Sequence, residues 1–144
     1  MTKSKLNMDV IADRILWIRR MTASLRDLPL GDREVFLASP HVQAAAESYL
    51  RRALEALFDL GRHVLAKKYA WPAREYKEVA KGLAEKWILR KNEAELLRRM
   101  AGYRNRMVHF YQEISPEELL EICVEHISEI ESLGVRIVRP VKTK

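Results

Sequence analysis

A chain of 144 residues, 48% hydrophobic and 32% charged, is long enough to bury one core and too balanced in composition to be a disordered segment. Five Gly, five Pro and one Cys exclude a loop-rich β fold, a low-complexity chain and an intrachain disulfide, and no apolar run approaches the roughly 18–20 residues of a membrane span. A net charge of +6 favours anionic partners: nucleic acid, nucleotides or acidic proteins.

The charged start MTKSKLNMDV lacks the apolar centre of a signal peptide, so a cytoplasmic protein is expected. Leu6, Val10, Ile11, Ile15, Ile18, Met21, Leu25 and Leu28 recur at three- and four-residue steps and predict an amphipathic helix over 6–28, closed by Pro29 and Gly31. Ser39-Pro40 reads as an N-cap followed by proline in the first helical position, opening a helix to about Lys67. In it Gln43, Glu47, Arg51, Glu55, Asp59 and Arg62 form one narrow polar stripe. A helix so apolar elsewhere is either central in a bundle or covered by another subunit.

A turn over 68–73 leads to a more polar third helix over about 73–87. Asn92 and Glu95, at capping-box spacing, open a fourth, which runs through ELLRRMAGYRNRMVH. Ser115-Pro116-Glu117-Glu118 combines a cap, a first-position proline and a glutamate three after the cap, starting a last helix that ends near Leu133 with Gly134 as its C-terminal cap. The basic stretch 135–144 contains Pro140 and reads as a flexible tail, although 135–138 alternates like a short strand. The expected architecture is a single all-α domain over 1–134, an up-and-down antiparallel bundle of about five helices.

Chemistry concentrates in Gly102-Tyr103-Arg104-Asn105-Arg106-Met107-Val108-His109-Phe110-Tyr111. Arg104 and Arg106 are always-charged planar donors suited to phosphate. His109 titrates near neutrality and both gives and takes protons. Tyr111 adds a hydroxyl. Metal-free RNA cleavage needs little more: a base takes the 2′-OH proton, the oxygen attacks the adjacent phosphate, and a cation stabilises the developing charge. On an ideal helix, however, Arg104 and His109 lie about 140° apart. Either the helix breaks near His109, or a second copy completes the site. Gly102, with no side chain, would permit close approach in a dimer. Composition and spacing alone fit a solvated arginine and a packed core histidine better than a catalytic pair.

Arg104-Asn105 with His109 and Tyr111 forms R-x4-H-x-Y with Asn after the Arg, and in this the chain resembles the HEPN superfamily, specifically its HepT-like branch. The order DLGRHVLAKKY (59–69), Pro72-Ala73-Arg74-Glu75-Tyr76, the motif, then Ile114-Ser115-Pro116 is similar too, over roughly 6–134. The resemblance implies a homodimer with the motif along the interface cleft. It implies an endoribonuclease toxin that needs no metal or other cofactor, with Arg104 and His109 as the catalytic pair and Asn105 in support. The implied partner is a minimal nucleotidyltransferase antitoxin, which transfers AMP to the motif tyrosine, here Tyr111. Phosphate there would put negative charge where RNA phosphate must bind. The same fold also occurs as a non-catalytic accessory subunit of a nucleotidyltransferase, although the complete motif favours the enzyme. A nucleic-acid-binding regulator ranks lower, since no helix-turn-helix is evident.

The pair Arg98-Arg99, on the motif helix, is the flanking basic pair best placed to join Arg106 in gripping RNA. Cys123 reads as a small buried hydrophobe. His63 and His126 read as core-edge or surface histidines. Trp17, Trp71 and Trp87, spread over three segments, are expected to be packing anchors.

Overall fold

The computed structural model describes residues 6–109 and 114–142, and every regular element among them is helical: α1 (Met8–Arg26), α2 (Arg33–Ala38), α3 (Pro40–Tyr69), α4 (Tyr76–Glu85), α5 (Lys91–Val108) and α6 (Pro116–Lys142). No helix among these residues is long and apolar enough to cross a membrane.

The start signals act largely as read. Ser39 Oγ accepts the Val42 N–H at 3.2 Å with Pro40 at the helix start, and Ser115 Oγ accepts the Glu118 N–H at 3.2 Å. Two details differ. The box that opens α5 lies two residues earlier than Asn92 and Glu95: the Glu93 carboxylate accepts the Arg90 N–H at 2.8 Å. The short α2, inside the expected connection, is capped by Asp32, whose Oδ1 accepts the Val35 N–H, and is anchored by the fully buried Phe36.

Helix α3 is the centre of the molecule. Leu50, Leu54, Leu57, Phe58, Leu60, Val64 and Leu65 are all buried, with α1, α4, α5 and α6 packed around them. Each such side chain contributes roughly 1.5–3 kcal/mol by leaving water. Neighbouring helices, not another subunit, therefore account for its narrow polar stripe.

The four long helices alternate in direction, as expected. Asn7 meets His63, so α1 runs against α3. Arg106 meets Glu118 and Glu93 meets Arg136, so α5 runs against α6. Helix α4 is the exception. Phe58 stacks on Tyr76, an added Cβ on Gly61 would touch Val79, and one on Gly82 would touch Leu65, so α3 and α4 are parallel. The connection makes this possible. Ala70 takes a left-handed conformation (φ 52), and the N–H of Trp71 returns to the Leu65 carbonyl. The non-helical residues 70–75 then run back beside α3, about 20 Å when extended, enough to cover the roughly 16 Å from Tyr69 to Phe58.

The C-terminal stretch corrects the sequence reading. Helix α6 continues through Gly134 to Lys142, with Ile137 and Val138 buried, so 135–142 is neither a flexible tail nor a strand. Gly134 is a packing glycine: a Cβ there would sit 3.6–3.9 Å from Ile15, Ile18 and Leu57. Ile130, Leu133, Ile137 and Val138 continue one apolar face across it. Pro140, near the helix end, offers its carbonyl to Lys68 Nζ.

Candidate active site

Helix α5 ends at Val108, and His109 is its C-terminal cap, with extended backbone (φ −106, ψ 98) and an exposed side chain. The helix therefore ends next to His109, as in the first of the two alternatives that the sequence geometry left open. His109 leaves the helical path five residues after Arg104 and is no longer bound by the 140° separation.

Arg104 is held on three sides. Its Nε and Nη2 both donate to Glu55 Oε2 on α3, at 3.1 and 2.9 Å. Nη1 donates to Asn105 Oδ1 at 3.4 Å. The guanidinium carbon lies over the Tyr76 ring, 4.7 Å from its centroid, and Tyr76 stacks face to face on Phe58 at 4.4 Å. The parallel α4 supplies this floor, because only a chain returning along α3 sets Tyr76 beside Phe58, one turn from Glu55. Burial, outweighing the adjacent Arg104, raises the Tyr76 phenol above its ordinary value and keeps the ring neutral. Arg51 fixes the other Glu55 oxygen at 3.3 Å. Three of the five guanidinium N–H groups are thus used, which leaves two for an anion.

Glu55 and Tyr76 were not singled out from sequence as site residues. Their signals were present but faint: Glu55 belongs to the narrow polar stripe of α3, and Tyr76 to the segment that resembles the HEPN family.

Arg106 forms a bidentate pair with Glu118 on α6, both contacts 2.8 Å. The hydrogen bond from Arg106 holds the Glu118 carboxyl below the usual carboxylate range. This tie fastens the end of α5 to the start of α6. Arg98 and Arg99 are exposed on α5, and Arg98 faces away from Arg104 into a separate groove. Tyr111 lies outside the described residues.

Cys123 is fully buried, and burial pushes its thiol up to about 12, so it is a core residue. His126 is buried, with Nδ1 2.6 Å from Glu129 Oε1. His63 accepts the Asn7 N–H through Nε2, and burial lowers its pKa. Trp17 and Trp71 pack against the core, but Trp87 does not: it is 92% exposed, and the expectation of a packing anchor fails there.

Comparison with known proteins gives a consistent result. The family described as HepT-like, "Ribonuclease HepT-like", matches residues 17–137. The chain is 24% identical over 123 residues to the mRNA nuclease HepT of Shewanella oneidensis, covering 85% of this chain and 92% of that protein. Among solved structures it is similar to the tri-AMPylated Shewanella oneidensis HEPN toxin in complex with MNT antitoxin, with TM-score 0.82, 23% identity, and coverage of 90% of this chain and 96% of that one. It is also similar to a toxin–antitoxin complex with AMP-PNP, with TM-score 0.81, 22% identity, and coverage of 90% and 98%.

Proposed function

The chain belongs to the HepT-like ribonuclease family, and from that premise we propose that it is the endoribonuclease toxin of a toxin–antitoxin pair. One observation carries the assignment of residues. Arg104 is fixed by Glu55, Asn105 and the Tyr76 ring, while five residues on the helix ends and presents an exposed His109.

His109 takes the proton from a ribose 2′-OH, and that oxygen attacks the neighbouring phosphorus. Arg104 stabilises the extra charge on the pentacoordinate phosphate with its two remaining N–H groups. The bond to the 5′ oxygen breaks, that oxygen takes back the proton held by His109, and a 2′,3′-cyclic phosphate and a 5′-OH are left. Every step uses side chains of this protein, so the reaction proceeds without a metal. Asn105, Glu55 and Tyr76 position the arginine. A homodimer sets a second copy against the end of α5, where Val108 is 43% exposed beside His109.

The partner is a minimal nucleotidyltransferase antitoxin, as in the Shewanella toxin complex. It transfers AMP from ATP to the Tyr111 hydroxyl and releases pyrophosphate. The added phosphate occupies the anion position and silences the site.

The test is cleavage of a labelled RNA in EDTA by the protein, freed of its partner and unmodified at Tyr111, beside Arg104→Ala and His109→Ala. The unsubstituted protein should leave cyclic-phosphate ends, and each substitution should slow it by at least about a hundredfold. No cleavage by the unsubstituted protein would instead indicate a non-catalytic accessory subunit of a nucleotidyltransferase.

A further inference from the structure

A groove of about 1270 Å³ lies between α4, the α4–α5 turn, the first turns of α5 and the end of α6, at the opposite end of α5 from His109. Eight Lys or Arg side chains line it against three Glu, an excess of five positive charges in a chain whose net charge is +6. Of the three carboxylates, Glu93 is already paired with Arg136. Lys77, Lys81, Arg90 and Arg98 are all exposed around the groove.

Trp87 stands in its wall, 92% exposed. Its backbone is left-handed (φ 60), and the N–H groups of Ile88 and Leu89 both return to the Leu83 carbonyl. Glycine is the usual residue at such a helix end. Neither backbone preference nor core packing accounts for an indole there. A flat aromatic face beside clustered cations is the combination that binds unpaired nucleic acid, with phosphates on the charges and a base on the ring.

The groove is also connected to the candidate active site. Arg98, Gly102 and Asn105 follow at steps of four and three residues. On an ideal helix the first and last differ by about 20°, so the three mark one stripe about 10 Å long, which leads to the end of α5 where His109 caps the helix. Midway along it, a Cβ added to Gly102 would meet nothing within 4 Å, so the stripe is open.

We propose that this groove holds single-stranded RNA on one side of the bond cut at His109. Backbone phosphates rest on Lys77, Lys81, Arg90 and Arg98, and a base stacks on Trp87. The proposal rests on the ribonuclease reading above and adds the form of its substrate: unpaired RNA long enough to reach from His109 past Arg98.

Binding without cleavage tests it, using full-length His109→Ala protein and fluorescein-labelled oligouridylates of three and twelve nucleotides. In that background Trp87→Gly, which suits the left-handed backbone, and the pair Lys77→Glu with Lys81→Glu should each weaken binding of the 12-mer at least tenfold. Affinity for the trimer should change less than twofold. The lysine pair should also flatten the salt dependence of 12-mer binding, whereas Trp87→Gly should leave it unaltered. If both variants bind the 12-mer within twofold of their parent, or lose the two oligomers equally, the proposal is wrong. It also fails if they keep the 12-mer but lose the nucleotidyltransferase partner, since the groove would then be a protein interface. Failure of the nuclease reading shows up separately, as absence of 12-mer cleavage by the protein with His109 intact.

Discussion

Arg104 gives two N–H groups to the same Glu55 oxygen and sets its guanidinium carbon over the Tyr76 ring, so residues from α3 and α4 join Asn105 of its own helix in fixing its position. A long side chain left alone on a helix would sample many rotamers, and ordering it during catalysis would cost entropy. Glu55→Gln keeps the shape but removes the charge on which two of these hydrogen bonds converge. Its kcat on RNA is expected to fall about ten- to a hundredfold with KM little changed, because displacement of a stabilising group is felt in the transition state. Glu55→Asp should recover part of the loss. Steady-state kinetics of the three proteins decide this, and a rise in KM at constant kcat would show that Glu55 serves substrate binding instead. At this scale the sequence pointed to Arg104, Asn105 and His109 as candidates through their motif. It was nearly silent about Glu55 and Tyr76, which are 49 and 28 residues from Arg104 and become its neighbours only in the fold.

Among the elements, α6 departs furthest from its expected course. A glycine followed by VRIVRP has the composition of a helix end and an extended tail, and local signals alone favour that reading. What overrides them is a partner: α1 and α3 present Ile15, Ile18 and Leu57 to the face that Gly134, Ile137 and Val138 complete. Gly134→Ala separates the two readings. At a left-handed cap, alanine would be strained. Inside a helix, with its methyl at ordinary contact distance, it should raise stability by about 0.5–1 kcal/mol. Urea denaturation measures this, and a lower midpoint for Gly134→Ala would contradict the continuous helix. Helix α4 teaches the same lesson in direction. A polar helix after α3 was legible, but it starts at Tyr76, capped by Glu75, and not near residue 73 behind Pro72, and its parallel run beside α3 was not legible. That follows from the left-handed turn at Ala70 and from Gly61 and Gly82, whose missing side chains let the helices approach.

For the whole molecule, a tie between the ends of the chain matters most. Thr22 and Arg26 of α1 both bond Glu131 of α6, at 2.7 and 2.6 Å, across more than a hundred residues of sequence. The hydrogen bond from Arg26, aided by that from Thr22, holds the Glu131 carboxyl below its ordinary value. As pH falls, the unfolded chain takes up this proton first, near pH 4.3. The tie therefore contributes its full stability above about pH 5 and loses it as pH drops through the lower folded value. Glu118, depressed by Arg106, adds in the same direction. Glu131→Gln is expected to be less stable than the parent at pH 7 and to lose stability less steeply between pH 5 and 3. Parallel acid titrations of the urea midpoint would refute this. Since Arg26 is 46% and Glu131 32% exposed, added salt should narrow the difference at neutral pH.

Periodicity and capping residues were enough to determine that the protein is a single bundle of helices and where α3 and α6 begin, and one short motif pointed to its family. These features are local: helical pitch, cap geometry and side-chain chemistry all act within a few residues of the chain. Tertiary structure alone decided that α4 turns back along α3, that α6 runs on through Gly134, that Arg104 rests between Glu55 and Tyr76, and that the excess positive charge gathers around Trp87. Those outcomes depend on contacts between distant segments, whose energies arise only once the core has closed around α3.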